Sequence, residues 1–212
     1  MKNDNGMGHH QLLQYIDRLS SPSPPLHIDV CDSNLTDDHA IRLADALTYS
    51  QQKDDNDGNY SEGGGVTLNK LRLRSSQITS KGSFSLAEEA IGGVAGSTSA
   101  LEHLDLGHTI EIAEDVDGFT FAMHLLLSAA DNLKHLDLEG CLGKLAGVAL
   151  ASVIAVHGES LESLNLRNNA LEDDETTCLA TKLSSMTSDC KSLARIDLGL
   201  NYVGDRGAMA FA

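Results

Sequence analysis

Tryptophan is absent from this chain, and aromatic residues occupy only 4% of its 212 positions. Its core must therefore be built from Leu, Ile, Val and Ala, which the 41% hydrophobic content supplies. Basic residues are also few, 15 Lys and Arg against 31 Asp and Glu, for a net charge of −16. Such a surface repels phosphate backbones and anionic lipid, so neither nucleic acid nor membrane is an expected partner. The four cysteines, Cys31, Cys141, Cys178 and Cys190, are widely spaced and form no CxxC. That excludes a zinc knuckle and a dithiol redox motif, and fits a reducing compartment. The polar opening Met1–His10 lacks the apolar stretch of a signal peptide. The apolar run Leu145–Val156 falls well short of the roughly 20 residues a membrane span needs. The expectation is a soluble protein of the cytoplasm or nucleus.

One strand pattern is written six times. Its copies open at Pro25, Leu68, Leu101, Leu133, Leu161 and Leu193, separated by 43, 33, 32, 28 and 32 residues. The fourth and sixth positions are always apolar: Ile28/Val30, Leu71/Leu73, Leu104/Leu106, Leu136/Leu138, Leu164/Leu166 and Ile196/Leu198. Period-two spacing puts each pair on one face of a short strand. The ninth position holds Ser33, Ser76, Thr109, Cys141, Asn169 and Asn201, all small and able to hydrogen-bond. Such residues suit a sharp turn, where backbone groups need side-chain partners.

The second part of each repeat predicts a helix. Thr36–Leu47 opens on a capping Thr and two acids, with Ala40, Ile41, Leu43, Ala44 and Leu47 at helical spacing. Gly82–Ile91, Ala122–Ala130, Gly147–Val156, Glu175–Leu183 and Gly207–Phe211 hold the matching place. Residues 1–24 read as a helical cap, carrying Leu12, Leu13, Ile16 and Leu19, and a linker broken by Ser20–Pro25. Residues 51–65 read as a disordered, Gly-rich insertion within a repeat domain spanning 25–212. The third repeat loses register around Ile110, Ile112 and Val116. Ala212 falls inside the sixth helix with no polar closing segment, so a fragment of a longer array is expected.

The pattern LxxLxL-xx-[N/S/T/C]-x-L followed by a helix resembles the ribonuclease-inhibitor-like class of leucine-rich repeats. The resemblance implies an α/β solenoid of about six repeats, a curved horseshoe with parallel strands on the concave face and helices on the convex face. It further implies a binding scaffold rather than an enzyme. Ran GTPase-activating proteins and intracellular immune-type sensors are similar in repeat type. A regulatory part of a small-GTPase activator or of such a sensor is therefore the alternative function.

The outward positions carry any recognition. Position five reads Asp29, Arg72, Asp105, Asp137, Asn165 and Asp197; position three includes His103, His135 and Arg195; position seven includes Arg74 and Arg167. Adjacent strands lie about 4.8 Å apart, so these are columns of near neighbours. The expected contacts are Asp29, Arg72, Asp105, His135, Asp137, Asn165, Arg167, Arg195 and Asp197, facing a protein of basic or mixed charge. The bland alternative is that the acids keep an exposed face soluble.

Two His-Leu-Asp strands, His103–Asp105 and His135–Asp137, offer imidazole with carboxylate, but the repeat generates this pairing without a metal. Mild acid would charge the imidazoles and alter binding. No metal, cofactor or catalytic residue is assigned. Asp55–Asn59 lacks both anchoring carboxylates of a calcium loop, since Lys53 and Gly64 stand there. Gly92–Gly96 and Gly143–Lys144 lack the ending of a phosphate loop. Cys141 reads as a buried thiol, and Cys31 as one open to exposure with nothing near it to lower its pKa.

Overall fold

A computed structural model describes residues 9–19, 27–31, 33–51, 68–86, 101–109, 116–142, 144–157, 159–185 and 192–212. Helix α1 (His9–Leu19) precedes strand β1 (His27–Asp29) and helix α2 (Asp37–Gln51). There follow β2 (Lys70–Arg72), α3 (Ser80–Ser85), β3 (His103–Asp105), α4 (Val116–Ala129), β4 (His135–Asp137) and α5 (Lys144–His157). The chain continues with β5 (Ser163–Asn165), α6 (Asp173–Ser185), β6 (Arg195–Asp197) and α7 (Asp205–Met209).

The strands form one parallel sheet in chain order, each joined to the next through a helical crossover. Register follows the repeat, so Ile28, Leu71, Leu104, Leu136, Leu164 and Ile196 stand side by side. These middle residues turn inward, while their flanking neighbours face out. Each helix packs on the next, from α1 to α7. One continuous aliphatic core lies between the strands and helices, and Leu12 and Ile16 of α1 join it at the first repeat. Burial weakens at β6, which among the described residues pairs with β5 alone. Ile196 and Leu198 are partly buried there, and Leu200, Tyr202 and Met209 are exposed.

The helices begin earlier than their apolar periodicity predicts at α3, α4, α5, α6 and α7. At α6 the added residues are Asp173 and Asp174, acids favoured by the unpaired N–H groups of a first turn, whereas α4 and α5 also add apolar residues, Val116, Phe121 and Leu145. The linker at 20–25, the stretch around Ile110 and Ile112, and Cys190 lie outside the described residues. So does the insertion at 51–65 beyond Gln51, and the expected third-helix segment 87–91.

Hydrogen bonds across repeats lock the turns. Asn169 donates to Leu138 O (2.9 Å) and accepts from Cys141 N (2.8 Å) and Leu142 N (2.7 Å). Asn201 repeats the device one step on, donating to Leu166 O and accepting from Asn169 N and Leu171 N. Thr109 donates to Leu106 O, and Ser33 to Val30 O. Ser76 differs: among the described residues its buried hydroxyl has no partner.

The eighth position of the repeat enters the left-handed region in every described copy, at Ser75, His108, Gly140, Asn168 and Leu200. Only one of these is glycine, so residue type alone does not announce the bend.

A second device links helices. Asp37, in the first turn of α2, accepts from Thr79 N (2.8 Å), Thr79 Oγ1 (2.6 Å) and Gly82 N (3.0 Å) at the start of α3. Asp173 of α6 does the same for α7, through Gly204 N (2.7 Å) and Gly207 N (2.9 Å). Carboxylates are favoured at these N-termini by their unpaired amides and positive dipole ends. A side chain at Gly82 would start 2.5 Å from the Asp37 carboxylate, which is why the smallest residue stands there.

Candidate functional site: the open face of the sheet

The face of the sheet away from the helices carries the outward positions in three rows. Strand register sets His27, Lys70, His103, His135, Ser163 and Arg195 in the first row, and Asp29, Arg72, Asp105, Asp137, Asn165 and Asp197 in the second. The third row follows where the strands turn. A groove of about 200 Å³ runs over β2–β5, bounded by Lys70, Arg72, His103, Asp105, His135 and Asp137.

The second row is tied up internally. Arg72 bonds Asp29 (2.7 Å) and Asp105 (3.3 Å). Arg74 adds Asp105 (3.4 Å), Asp137 (3.4 Å) and Glu139. Asn165 donates to Asp137 at 3.0 Å. Each strand-end carboxylate also accepts from the backbone two residues on, as Asp105 does from Gly107 N and Asp137 from Glu139 N. The expected column of free carboxylates is thus largely neutralised by basic residues of the second repeat. The Arg72 and Arg74 guanidiniums are held charged, desolvation being outweighed by these acids.

The third row contains a reach that the sequence does not advertise. Arg74 passes over Gly107 to bond Glu139, two repeats away. A side chain at Gly107 would start 2.3 Å from the Arg74 guanidinium. Arg167 approaches Glu139 from the other side (3.9 Å), and its Nη1 lies over Gly199 in the same fashion. His108 also stands 3.7 Å from Glu139. Glu139 was not among the expected contacts. The signal for it is a basic residue, a glycine and an acid in consecutive seventh positions.

Of the expected contacts, Asp29, Arg72, Asp105, Asp137, Asn165 and Arg167 are brought together by internal bonds. Arg195 and Asp197 make no ion pair among the described residues. His135 stacks on His103, ring centres 4.2 Å apart and 16° from parallel. The two imidazoles meet by their faces, and no group of three or more metal-ligating side chains is assembled among the described residues.

Cys31 keeps only part of the exposure its position allows. It is half-buried, and burial with a hydrogen bond to Asp29 pushes its thiol up to about 11. Burial likewise pushes Cys141 up to about 11, while its Sγ donates to Leu106 O. Both thiols stay protonated at neutral pH and are poor nucleophiles.

Residues 189–212, around β6 and α7, match the family described as Leucine Rich repeat. The chain is also 30% identical over 179 residues to the human NACHT, LRR and PYD domains-containing protein 14. Both likenesses support a leucine-rich-repeat protein. The match takes in 84% of this chain and 14% of the human protein's length. The leucine-rich-repeat likeness suggests a protein-interaction role. No helix among the described residues is long and apolar enough to cross a membrane.

Proposed function

We propose that the chain is a protein-recognition scaffold of the ribonuclease-inhibitor-like class. Its strands would line the concave side of a curved solenoid and bind a partner of mixed charge. The observation behind this reading is the rigid polar sheet face. Its side chains are already ordered by ion pairs between strands, which lowers the entropy cost of binding a large surface. Internal neutralisation of Asp105 and Asp137 favours a mixed-charge partner over a purely basic one.

Reversing Asp105 or Asp137 would break the chain's own ion pairs, so the sharper test uses Lys70→Glu with Arg195→Glu. These residues hold no ion pair among the described residues. Affinity capture with mass spectrometry should recover a partner with the native chain and lose it with this double variant. Lys182→Glu, on the exposed side of α6, should retain it. Loss with Lys182→Glu and retention with the double variant would move the binding surface to the helices.

The likeness to the human NACHT, LRR and PYD domains-containing protein 14 favours a second reading. The repeats would then form the sensing part of a larger immune-type regulatory protein. Capture of the same partner by a longer protein containing these repeats would support it.

A further inference from the structure

The first row of the open face holds no acid in any of six strands, in a chain with twice as many acids as bases. At its centre lie the stacked rings of His103 and His135, lining the groove beside Lys70. Among the described residues, neither ring has a hydrogen-bond partner and Lys70 has no ion pair. The acids nearby are otherwise engaged. Glu102 pairs with Lys134 (3.2 Å), Asp105 with Arg72 and Arg74, and Asp137 with Arg74 and Asn165.

We propose that this groove binds a carboxylate of a partner protein's extended segment, seated against His103, His135 and Lys70, and that binding takes up a proton. Two imidazoles in face contact do not both charge readily, because like charges at this distance repel. A carboxylate bridging their ring edges removes that penalty and supplies the missing acceptor. By linkage, an anion that favours the charged ring binds more tightly when that ring is protonated. His103 sits below the ordinary histidine value of 6.5, through desolvation first and then the charges of His135 and Lys70. It is thus mostly neutral at pH 7 and gains charge as pH falls. Its facing groups are Lys70 and Arg72 of β2, its own Glu102 and Asp105, and Lys134, His135 and Asp137 on the other side. Asp105 and Asp137 share the groove, so a singly charged carboxylate fits better than a doubly charged phosphate.

This inference rests on the open face being the binding face. The native chain should be titrated by NMR, following the ring Cε1–H signals of its histidines. The probes are N-acetylaspartate amide, its neutral counterpart N-acetylasparagine amide, and inorganic phosphate. The aspartate probe should raise the proton affinity of His103 at least two-fold and shift the His135 signal, leaving the His27 and His108 signals in place. The asparagine probe should do neither, and His135→Gln should reduce the effect on His103. An unmoved His103, or equal movement of all four histidines, would overturn the site. A larger response to phosphate would overturn the carboxylate assignment. If Lys70→Glu with Arg195→Glu abolishes partner capture while His103 ignores aspartate, only this inference falls.

Discussion

At the scale of single residues, the ninth position shows how alike sequence choices differ in worth. Asn169 satisfies two backbone amides and one carbonyl inside the turn. Asn169→Ala should cost about 3 kcal/mol, since buried groups left unpaired cost roughly 1–3 kcal/mol each and some rearrangement relieves them. Ser76 holds the equivalent place with its hydroxyl buried and unpartnered among the described residues. Ser76→Ala should be neutral or stabilise by up to about 1 kcal/mol. Urea unfolding of both variants would check the contrast, and equal costs would refute it. The hydrogen-bonding character of this position was legible from composition alone. Which residue uses it was not, because that depends on where the next coil places its amides. The left-handed eighth position was less legible still: Ser75 and Leu200 adopt it without being residues that favour it.

At the scale of elements, period-two apolar pairs announce every strand, because a buried middle residue is the one strict demand of this sheet. The start of α6 was read late because its first turn is acidic and adds nothing to the apolar stripe, and that of α4 because Asp117 and Gly118 interrupt the stripe after Val116. The caps between helices were missed for a different reason. Asp37 serves α3 rather than its own α2, so the signal appears only when one repeat's acid is aligned with the next repeat's Gly82. Asp37→Ala removes three acceptor contacts at that helix start. It should lower stability by about 2 kcal/mol, the upper range for a lost cap. Hydrogen exchange should show the Thr79 and Gly82 amides losing protection, and unchanged protection would count against the cap.

At the scale of the whole molecule, the net charge of −16 gives a poor picture of the open face. Register, not composition, decides that its acids meet Arg72 and Arg74 while the histidine row stays without acids. The expected contacts do lie on the open sheet face, but their free or engaged state was not readable. Long side chains reach neighbours that strand spacing alone does not rank.

The Arg74 reach over Gly107 bears on how the molecule unfolds. Repeat arrays usually behave as chains of nearest-neighbour couplings, so disorder spreads one unit at a time. An ion pair from the second repeat to the fourth adds a coupling that skips a unit. Fraying of the third repeat then no longer separates the units on either side. A double-mutant cycle of Arg74→Ala and Glu139→Gln should return a coupling of about 1 kcal/mol, in the range of partly exposed charge pairs. A coupling of zero would return the array to strict neighbour-to-neighbour behaviour. With it, the second to fourth repeats melt as one cooperative block.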